Sequence, residues 1–256
     1  MSTHGESTPS IYQKSSISRR RLLRGGLSLG ALGALGGVTS AEPAKQPAPE
    51  LPKGAVILFQ GDSITDAARK KEIVNANDNK ALGTGYAAML AGLLLADHPD
   101  LGLQIHNRGI SGNKVPDLAA RWQEDTTDLK PTILSILVGI NDLWHTIAFG
   151  SKYKGTIKDY EEGYRALIER SIKEIPGVRV IICEPFTLRK WPEFDPYRAV
   201  AKKLAEELKL TFVPFQPMFD QAAKAAPTDF WLWDGVHPTA AGNALMARTW
   251  RQAVGI

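Results

Sequence analysis

Five short apolar runs alternate with five longer segments whose apolar residues recur at helical spacing. The runs predict strands at residues 54–60, 103–107, 132–138, 178–183 and 211–215. The longer segments predict helices at residues 86–96, 115–127, 157–175, 197–208 and 239–253. Because continuous apolar runs suit strands that are buried on both faces, this alternation predicts a three-layer α/β/α sandwich around a mostly parallel, five-stranded sheet.

Polar motifs follow three of the predicted strands, and a fourth motif precedes the last helix. G-D-S-I-T occupies residues 61–65, N-R-G-I-S-G-N residues 107–113, G-I-N-D residues 139–142 and D-G-V-H-P residues 234–238. The carboxyl ends of parallel strands meet at one edge of a sheet. The four motifs are therefore expected to converge on one site.

Each motif has a structural alternative when it is taken alone. Ser63 could cap a helix, Asn141 could close an ordinary turn, and D-x-x-H could begin a helix. Asp62 and Asp142 are expected to be structural, with Asp62 bonding backbone amides to hold its turn. Asp66 has no assigned role. His145 could reach a substrate or lie at the surface.

The order and spacing of these motifs resemble the SGNH hydrolases, also called the GDSL family of serine esterases, over nearly all of residues 54–256. The four residue types that give the family its name fall on Ser63, Gly112, Asn141 and His237. One departure is that Ile and Thr follow the serine where the name motif has Leu. Longer runs, among them A-L-G-T-G-Y and A-R-W-Q-E-D, look similar to the branch that contains the acetylxylan esterases.

The resemblance implies that Ser63 is a nucleophile, that His237 is its base and that Asp234 orients the histidine. A serine hydroxyl is a weak nucleophile near neutral pH, so it needs an imidazole to take its proton. The backbone N–H groups of Ser63 and Gly112 and the side-chain amide of Asn141 could then stabilise the oxyanion that forms. The sequence has no metal-binding or phosphate-binding fingerprint, so no metal and no cofactor are expected.

Charge is distributed unevenly along the chain. The sequence holds 31 Lys and Arg and 27 Asp and Glu; five of the basic and one of the acidic residues lie in the first 41 positions, which leaves 26 of each beyond them. A surface that binds nucleic acid needs an excess of Lys and Arg. The neutral remainder therefore argues against nucleic acid as a partner.

The basic segment belongs to a predicted signal peptide at residues 1–41. It reads S-R-R-R-L-L-R, continues into a Gly- and Leu-rich apolar stretch and ends in T-S-A, which resembles the bacterial twin-arginine signal. A flexible basic tail is the alternative. A Pro-rich linker is predicted at residues 42–53 and a single domain at residues 54–256. The mature protein is expected to be periplasmic or secreted and not stably inserted in a membrane.

Aromatic side chains near the motifs are candidates for contact with a sugar ring. Trp144, Trp191 and Trp233 are predicted to lie in loops and to bind substrate, although each could instead pack against the core. Trp231 is also predicted to lie in a loop. Trp122 is expected in the core, and the single cysteine, at position 183, is expected to be buried.

These observations predict a serine esterase that removes acetyl groups from carbohydrate, such as acetylated xylan or xylo-oligosaccharides, through an acyl-enzyme. One alternative is a lipid-directed member of the same fold, a lysophospholipase or thioesterase, with an apolar groove that includes Trp144, Ile147 and Phe149. A second alternative is a carbohydrate-binding protein without catalysis. A homo-oligomer is possible for any of the three.

Overall fold

The computed structural model describes residues 50–256 apart from positions 149 and 151. The predicted signal peptide lies outside the described residues, as do residues 42–49 of the predicted linker and Phe149.

Five strands form one sheet, and all of their pairings are parallel. The strands are β1 Val56–Gly61, β2 Gln104–Asn107, β3 Ile133–Leu137, β4 Arg179–Cys183 and β5 Thr211–Val213. Their spatial order is β2-β1-β3-β4-β5. The predicted fold class is therefore confirmed. Strand β1 lies between β2 and β3, so the strand order reverses direction at β1. Open α/β sheets form a crevice at the carboxyl ends of the strands where the order reverses.

The described residues include ten α-helices. They are α1 Ser63–Asp66, α2 Asn79–Leu82, α3 Tyr86–Asp97, α4 Val115–Trp122, α5 Ile140–Ile147, α6 Ile157–Glu174, α7 Asp195–Glu207, α8 Phe215–Ala222, α9 Thr228–Trp231 and α10 Ala240–Val254. None of the helices in the described part of the chain has the length and apolar character that crossing a membrane requires.

Helices cover both faces of the sheet. Helices α3 and α10 pack together on one face, where the Phe59 ring lies 5.8 Å from the ring of Tyr86 and 5.6 Å from that of Trp250. Helices α4, α6 and α7 pack in succession on the other face. There Trp122 is fully buried, as predicted, and its Nε1 donates to Ser171 Oγ. The sheet therefore has a core on each side, which explains its apolar strands.

The sequence does not predict five of the ten described helices, α1, α2, α5, α8 and α9, and two predicted elements end at a different residue for a local reason. The predicted helix at residues 115–127 is α-helical only to Trp122 and continues as a π-helix over Gln123–Thr127. The last strand ends at Val213 and not at residue 215, because Pro214 has no N–H for a strand ladder and Phe215 already begins α8.

The single cysteine lies inside the sheet, as expected. Cys183 ends β4, is fully buried and has its Sγ 3.4 Å from Ser135 Oγ. Burial raises the pKa of its thiol to about 12, which keeps the group protonated.

Candidate active site

A hydroxyl, an imidazole and a carboxylate from two distant motifs lie in hydrogen-bond contact. Ser63 Oγ is 2.9 Å from His237 Nε2, and His237 Nδ1 is 2.9 Å from Asp234 Oδ2. The serine lies two residues after β1, whereas the other two residues precede α10, and 174 positions separate His237 from Ser63. This order of contacts allows the imidazole to accept the serine proton while the carboxylate fixes the ring's tautomer.

The carboxylate of Asp234 is held by the turn in which it lies. Its Oδ1 accepts the backbone N–H groups of Val236 and His237, at 2.9 and 2.8 Å. Burial raises the pKa of Asp234, but the hydrogen bonds from the His237 backbone, the His237 ring and Val236 outweigh that effect and bring the pKa below its ordinary value. The group is therefore ionised at neutral pH and can stabilise a protonated imidazole.

The turn that carries the serine is fixed by its preceding residue. Asp62 Oδ1 accepts the Ile64 N–H at 3.0 Å and caps helix α1, which is the structural arrangement expected for this residue. Burial raises the pKa of Asp62 to about 7, although the hydrogen bond from Ile64 acts in the opposite direction. Its Oδ2 has no hydrogen-bond partner among the described residues. Ser63 therefore follows a buried carboxyl group, that of Asp62, which caps the helix that begins at the serine.

The loop after β2 is tied to helix α1 by side chains. Asp66 Oδ2 accepts both the backbone N–H of Ser111, at 2.8 Å, and its hydroxyl, at 2.9 Å. Asn107 Nδ2 donates to the carbonyl oxygen of Thr65 at 2.6 Å. Asp66, which had no role from sequence, thus joins the serine's helix to the segment that contains Gly112.

The third strand brings an amide to the same loop. Asn141 is buried at the start of α5, and its Nδ2 donates to the carbonyl oxygen of Asn113 at 3.2 Å. Gly112, next to that acceptor, has φ +81°, a conformation that favours glycine. Asp142 Oδ1 accepts the Val115 N–H at 3.0 Å, and burial raises the pKa of Asp142 to about 7 despite that bond. Asp142 therefore has the structural position expected for it, between α5 and the start of α4.

Aromatic rings surround the imidazole. Trp233 stacks on His237 with 5.3 Å between ring centroids and 18° between planes, and 63% of this tryptophan is exposed. The Trp144 ring lies 6.1 Å from His237 and 5.3 Å from Trp191. Trp191 and Trp233 lie outside helices and strands, as predicted. The loop prediction is wrong for Trp144 and Trp231, because the residues around them form α5 and α9.

A cavity of about 340 Å³ opens beside the serine and the imidazole. One aromatic side chain and several smaller side chains also line the cavity; they are Trp233, Ile64, Ala67, Ala68, Thr84, Pro238 and Asn243. A second cavity of about 400 Å³ is lined in part by Arg189 and Trp191. The imidazole is therefore next to a space of the size that small ligands occupy.

Helix α5 also carries His145, a possible substrate contact, and Ile147, part of the possible lipid groove. A Cβ added to Gly112 would lie 3.9 Å from Cε1 of His145, so this ring lies next to the glycine. Burial lowers the pKa of His145, and the charge of Lys114 adds to the effect. Ile147 is 48% exposed. Of the predicted lipid groove, Phe149 lies outside the described residues.

One side chain in the site was not identified from the sequence. The Arg189 guanidinium lies 4.7 Å from the ring centroid of Trp144 and 5.0 Å from that of Trp191, and it donates to Asp234. No motif includes Arg189, and 45 positions separate it from Asp234, so only the folded chain reveals the contact. In the described part of the chain, no group of three or more His, Cys, Asp or Glu is arranged to hold a metal ion.

Comparisons with known proteins identify relatives across most of the chain. A model of the GDSL-like lipase/acylhydrolase family matches residues 59–245. An acetylxylan esterase of Geobacillus stearothermophilus is 37% identical over 210 residues, which cover 79% of this chain and 94% of that protein. A solved structure described as a GDSL-like lipase of Parabacteroides merdae has a TM-score of 0.78 and 45% identity, covering 82% of this chain and 99% of its own.

Structures of the Geobacillus enzyme also superpose on this chain. They have a TM-score of 0.74 and 36% identity, and they cover 80% of this chain and 96% of their own. Three of them contain alanine in place of an aspartate, a serine or a histidine and are described as catalytic mutants.

Proposed function

Because the chain belongs to the GDSL-like lipase/acylhydrolase family and is a carboxylic ester hydrolase, we propose that it removes acetyl groups from carbohydrate through a covalent acyl-enzyme on Ser63. The observation that carries this proposal is the contact series from Ser63 Oγ to His237 Nε2 and from His237 Nδ1 to Asp234, at 2.9 Å each. The same three residue types are substituted in the catalytic mutants of the Geobacillus acetylxylan esterase.

The reaction proceeds in two halves. Ser63 Oγ attacks the acetyl carbonyl carbon and transfers its proton to His237 Nε2. The tetrahedral intermediate then expels the sugar oxygen, which takes that proton and leaves acetyl-Ser63. Water attacks this ester, again giving a proton to Nε2, and the second collapse returns the proton to Ser63 and releases acetate. Asp234 stays ionised throughout and stabilises the imidazolium.

Hydrogen-bond donors beside the serine stabilise the oxyanion in both halves. In this proposal the donors are the backbone N–H groups of Ser63 and Gly112 and the Nδ2 of Asn141. The bond from Asn141 to the carbonyl oxygen of Asn113 supports the assignment, because it places the amide against the loop that carries Gly112. Donors that are fixed before reaction need no rearrangement when the charge develops.

The position of Trp233 favours a sugar as the leaving group. The leaving oxygen takes its proton from His237 Nε2, so the alcohol portion of the substrate lies beside that ring. The Trp233 ring stacks on the imidazole and is mostly exposed. The cavity of about 340 Å³ is lined by both residues. An exposed indole next to the leaving group suits the apolar face of a pyranose ring. Acetylated xylan or xylo-oligosaccharides are the proposed substrates, in line with the Geobacillus relative.

The substrate class is tested by measuring acetate release from acetylated xylo-oligosaccharides beside hydrolysis of long-chain acyl esters. The acetylated sugars should be hydrolysed with the higher kcat/KM. A preference for long acyl chains would instead identify a lipid-directed esterase. Binding of the sugars without release of acetate would identify a carbohydrate-binding protein.

The acyl-enzyme is tested with a fluorophosphonate probe, which labels an activated serine. The wild-type protein should be labelled and Ser63→Ala should be neither labelled nor active. Thr249→Ala is a matched control, because it removes a hydroxyl that is bonded within α10, to the carbonyl oxygen of Leu245. Full activity in Ser63→Ala would exclude Ser63 as the nucleophile.

A further inference from the structure

The side chain of Arg189 makes two contacts with Asp234. Its Nε donates to the Asp234 carbonyl oxygen at 2.8 Å, and its Nη2 lies 3.4 Å from Asp234 Oδ2. The second contact is to the oxygen that also faces His237 Nδ1. One guanidinium thus holds both the backbone and the carboxylate of the same residue.

The arginine is itself held in place on two sides. Its guanidinium lies over the rings of Trp144 and Trp191, which contact each other at 5.3 Å. Its backbone N–H donates to Thr187 Oγ1, and that hydroxyl donates to the carbonyl oxygen of Gly235 at 2.9 Å. Because the arginine fork is planar and lies against aromatic rings, it loses little further freedom when it binds Asp234.

These contacts connect the loop after β4 to the loop before α10. The Leu188 N–H also donates to the Gly235 carbonyl oxygen, at 2.8 Å. Without this connection the turn that carries Asp234 and His237 would be held mainly by its own hydrogen bonds. The loop after β4 therefore sets where the carboxylate lies relative to the imidazole.

We propose that Arg189 is a positioning residue that fixes the Asp234 carboxylate against His237. This inference rests on the proposed roles of Ser63, His237 and Asp234. Arg189 touches neither the serine nor the reacting atoms; it acts through Asp234. Removing a cation from beside an acid–base pair in general moves the acid limb of a pH profile to higher pH, so the pH profile is a measurement that a purely structural role would not change.

In the part of the chain that the structure describes, the groups seen against His237 from other elements are uncharged. Helix α1 presents the Ser63 hydroxyl to His237, and helix α5 presents the uncharged ring of Trp144. His145, also on α5, lies next to Gly112. Arg189 is therefore the cation whose removal should be visible in the pH profile.

The test is the pH profile of kcat/KM for an aryl acetate in Arg189→Met and Arg189→Lys. Arg189→Met retains the stem against the tryptophans but loses the charge and the hydrogen bonds; kcat/KM should fall about 10-fold, and the midpoint of the acid limb should move to higher pH by about 0.5 to 1 unit. Arg189→Lys retains the charge, so its midpoint should stay at the wild-type value even if kcat/KM falls. Lys190→Met, which removes the exposed neighbouring cation, should match the wild type in both.

The outcomes separate this inference from the proposed function. If Arg189→Met and Arg189→Lys lose the same activity at an unchanged midpoint, Arg189 serves packing only and the inference is overturned. If Arg189→Met behaves as the wild type while Ser63→Ala is inactive, the inference is overturned and the proposed function stands. Activity in Ser63→Ala would remove both. A melting temperature for each variant shows that the folded protein is being measured, and Arg189→Lys provides the test if Arg189→Met does not fold.

Discussion

Replacing Trp233 with alanine should weaken the hydrolysis of acetylated sugars with little effect on folding. The indole stacks on His237 at 5.3 Å and 18°, and 63% of the residue is exposed. Its backbone N–H bond to the His237 carbonyl oxygen, at 3.0 Å, does not depend on the side chain. The change therefore removes an exposed ring and leaves the surrounding backbone as it is.

The magnitude follows from what a stacked ring contributes. A pair of stacked rings adds about 0.5 to 1.5 kcal/mol beyond its buried area, which corresponds to a loss of about 2- to 12-fold in kcat/KM, mostly through KM. The free energy of unfolding should fall by no more than about 1 kcal/mol, because the residue is mostly exposed but its ring also loses the stack on His237. Trp233→Phe retains a ring and should recover part of the loss.

The assay compares an acetylated xylo-oligosaccharide with methyl acetate, whose alcohol has no ring to stack. Trp233→Ala should lose kcat/KM on the sugar and stay close to the wild type on methyl acetate. Equal losses on the two substrates would refute the reasoning, because they would mean that Trp233 acts by restraining His237 and not by contacting the sugar.

Three other substitutions test the surroundings of the serine, and a fourth, Gly92→Ala, is a control for one of them. Asn141→Ala should lower kcat by about 10²- to 10³-fold with little change in KM, because it removes an oxyanion donor; a loss below tenfold on an aryl acetate would contradict that role. Burial raises the pKa of Asp142 to about 7, above its unfolded value of about 3.9. The neutral carboxylic acid therefore contributes its full stabilisation of the fold below about pH 4, and this contribution is lost as the pH rises through 7. Asp142→Asn should therefore lose less Tm than the wild type between pH 5 and 8 in a calorimetric scan, and identical slopes would count against it. A Cβ on Gly109 would lie 2.3 Å from the backbone nitrogen of Asp66, so Gly109→Ala should lower the free energy of unfolding by about 1 to 3 kcal/mol. Gly92→Ala has nothing within 4 Å of its Cβ and should raise it by about 0.5 to 1 kcal/mol; denaturant unfolding measures both.

The parallel sheet was predictable because its strands are buried on both faces. Such strands appear in the sequence as continuous apolar runs, and three of the four motifs lie where those runs end. The proximity of Ser63 and Asn141 could be expected for the same reason, since the carboxyl ends of parallel strands share one edge. His237 follows no strand, and its place beside Ser63 was implied by the resemblance to the SGNH hydrolases.

The missed helices have local explanations. Helix α5 begins inside G-I-N-D, where Asn and Asp favour turns, and it is only eight residues long. Helix α8 has Pro217 in its first turn, a position where proline is tolerated although it suggests a break when read along the chain. These helices are stabilised by tertiary packing more than by propensity, and a single sequence does not display that packing. Phe215 and Phe219 of α8, for example, are fully buried.

The contacts of individual polar side chains were the least predictable part of the site. Arg189 reaches Asp234 from another loop, and Asp66 reaches Ser111 across 45 positions. Neither pair has a spacing rule, because the geometry of two loops determines it. The sequence therefore predicts the candidate reactive groups and the capping role of Asp62, but not the contacts of Arg189 and Asp66.

The separation of Ser63 from His237 by 174 positions has a consequence for biosynthesis. A chain still being made therefore contains the proposed nucleophile well before the proposed base has emerged from the ribosome. In the proposed mechanism, the polypeptide is unable to cleave esters until the segment before α10 has emerged and folded against Ser63.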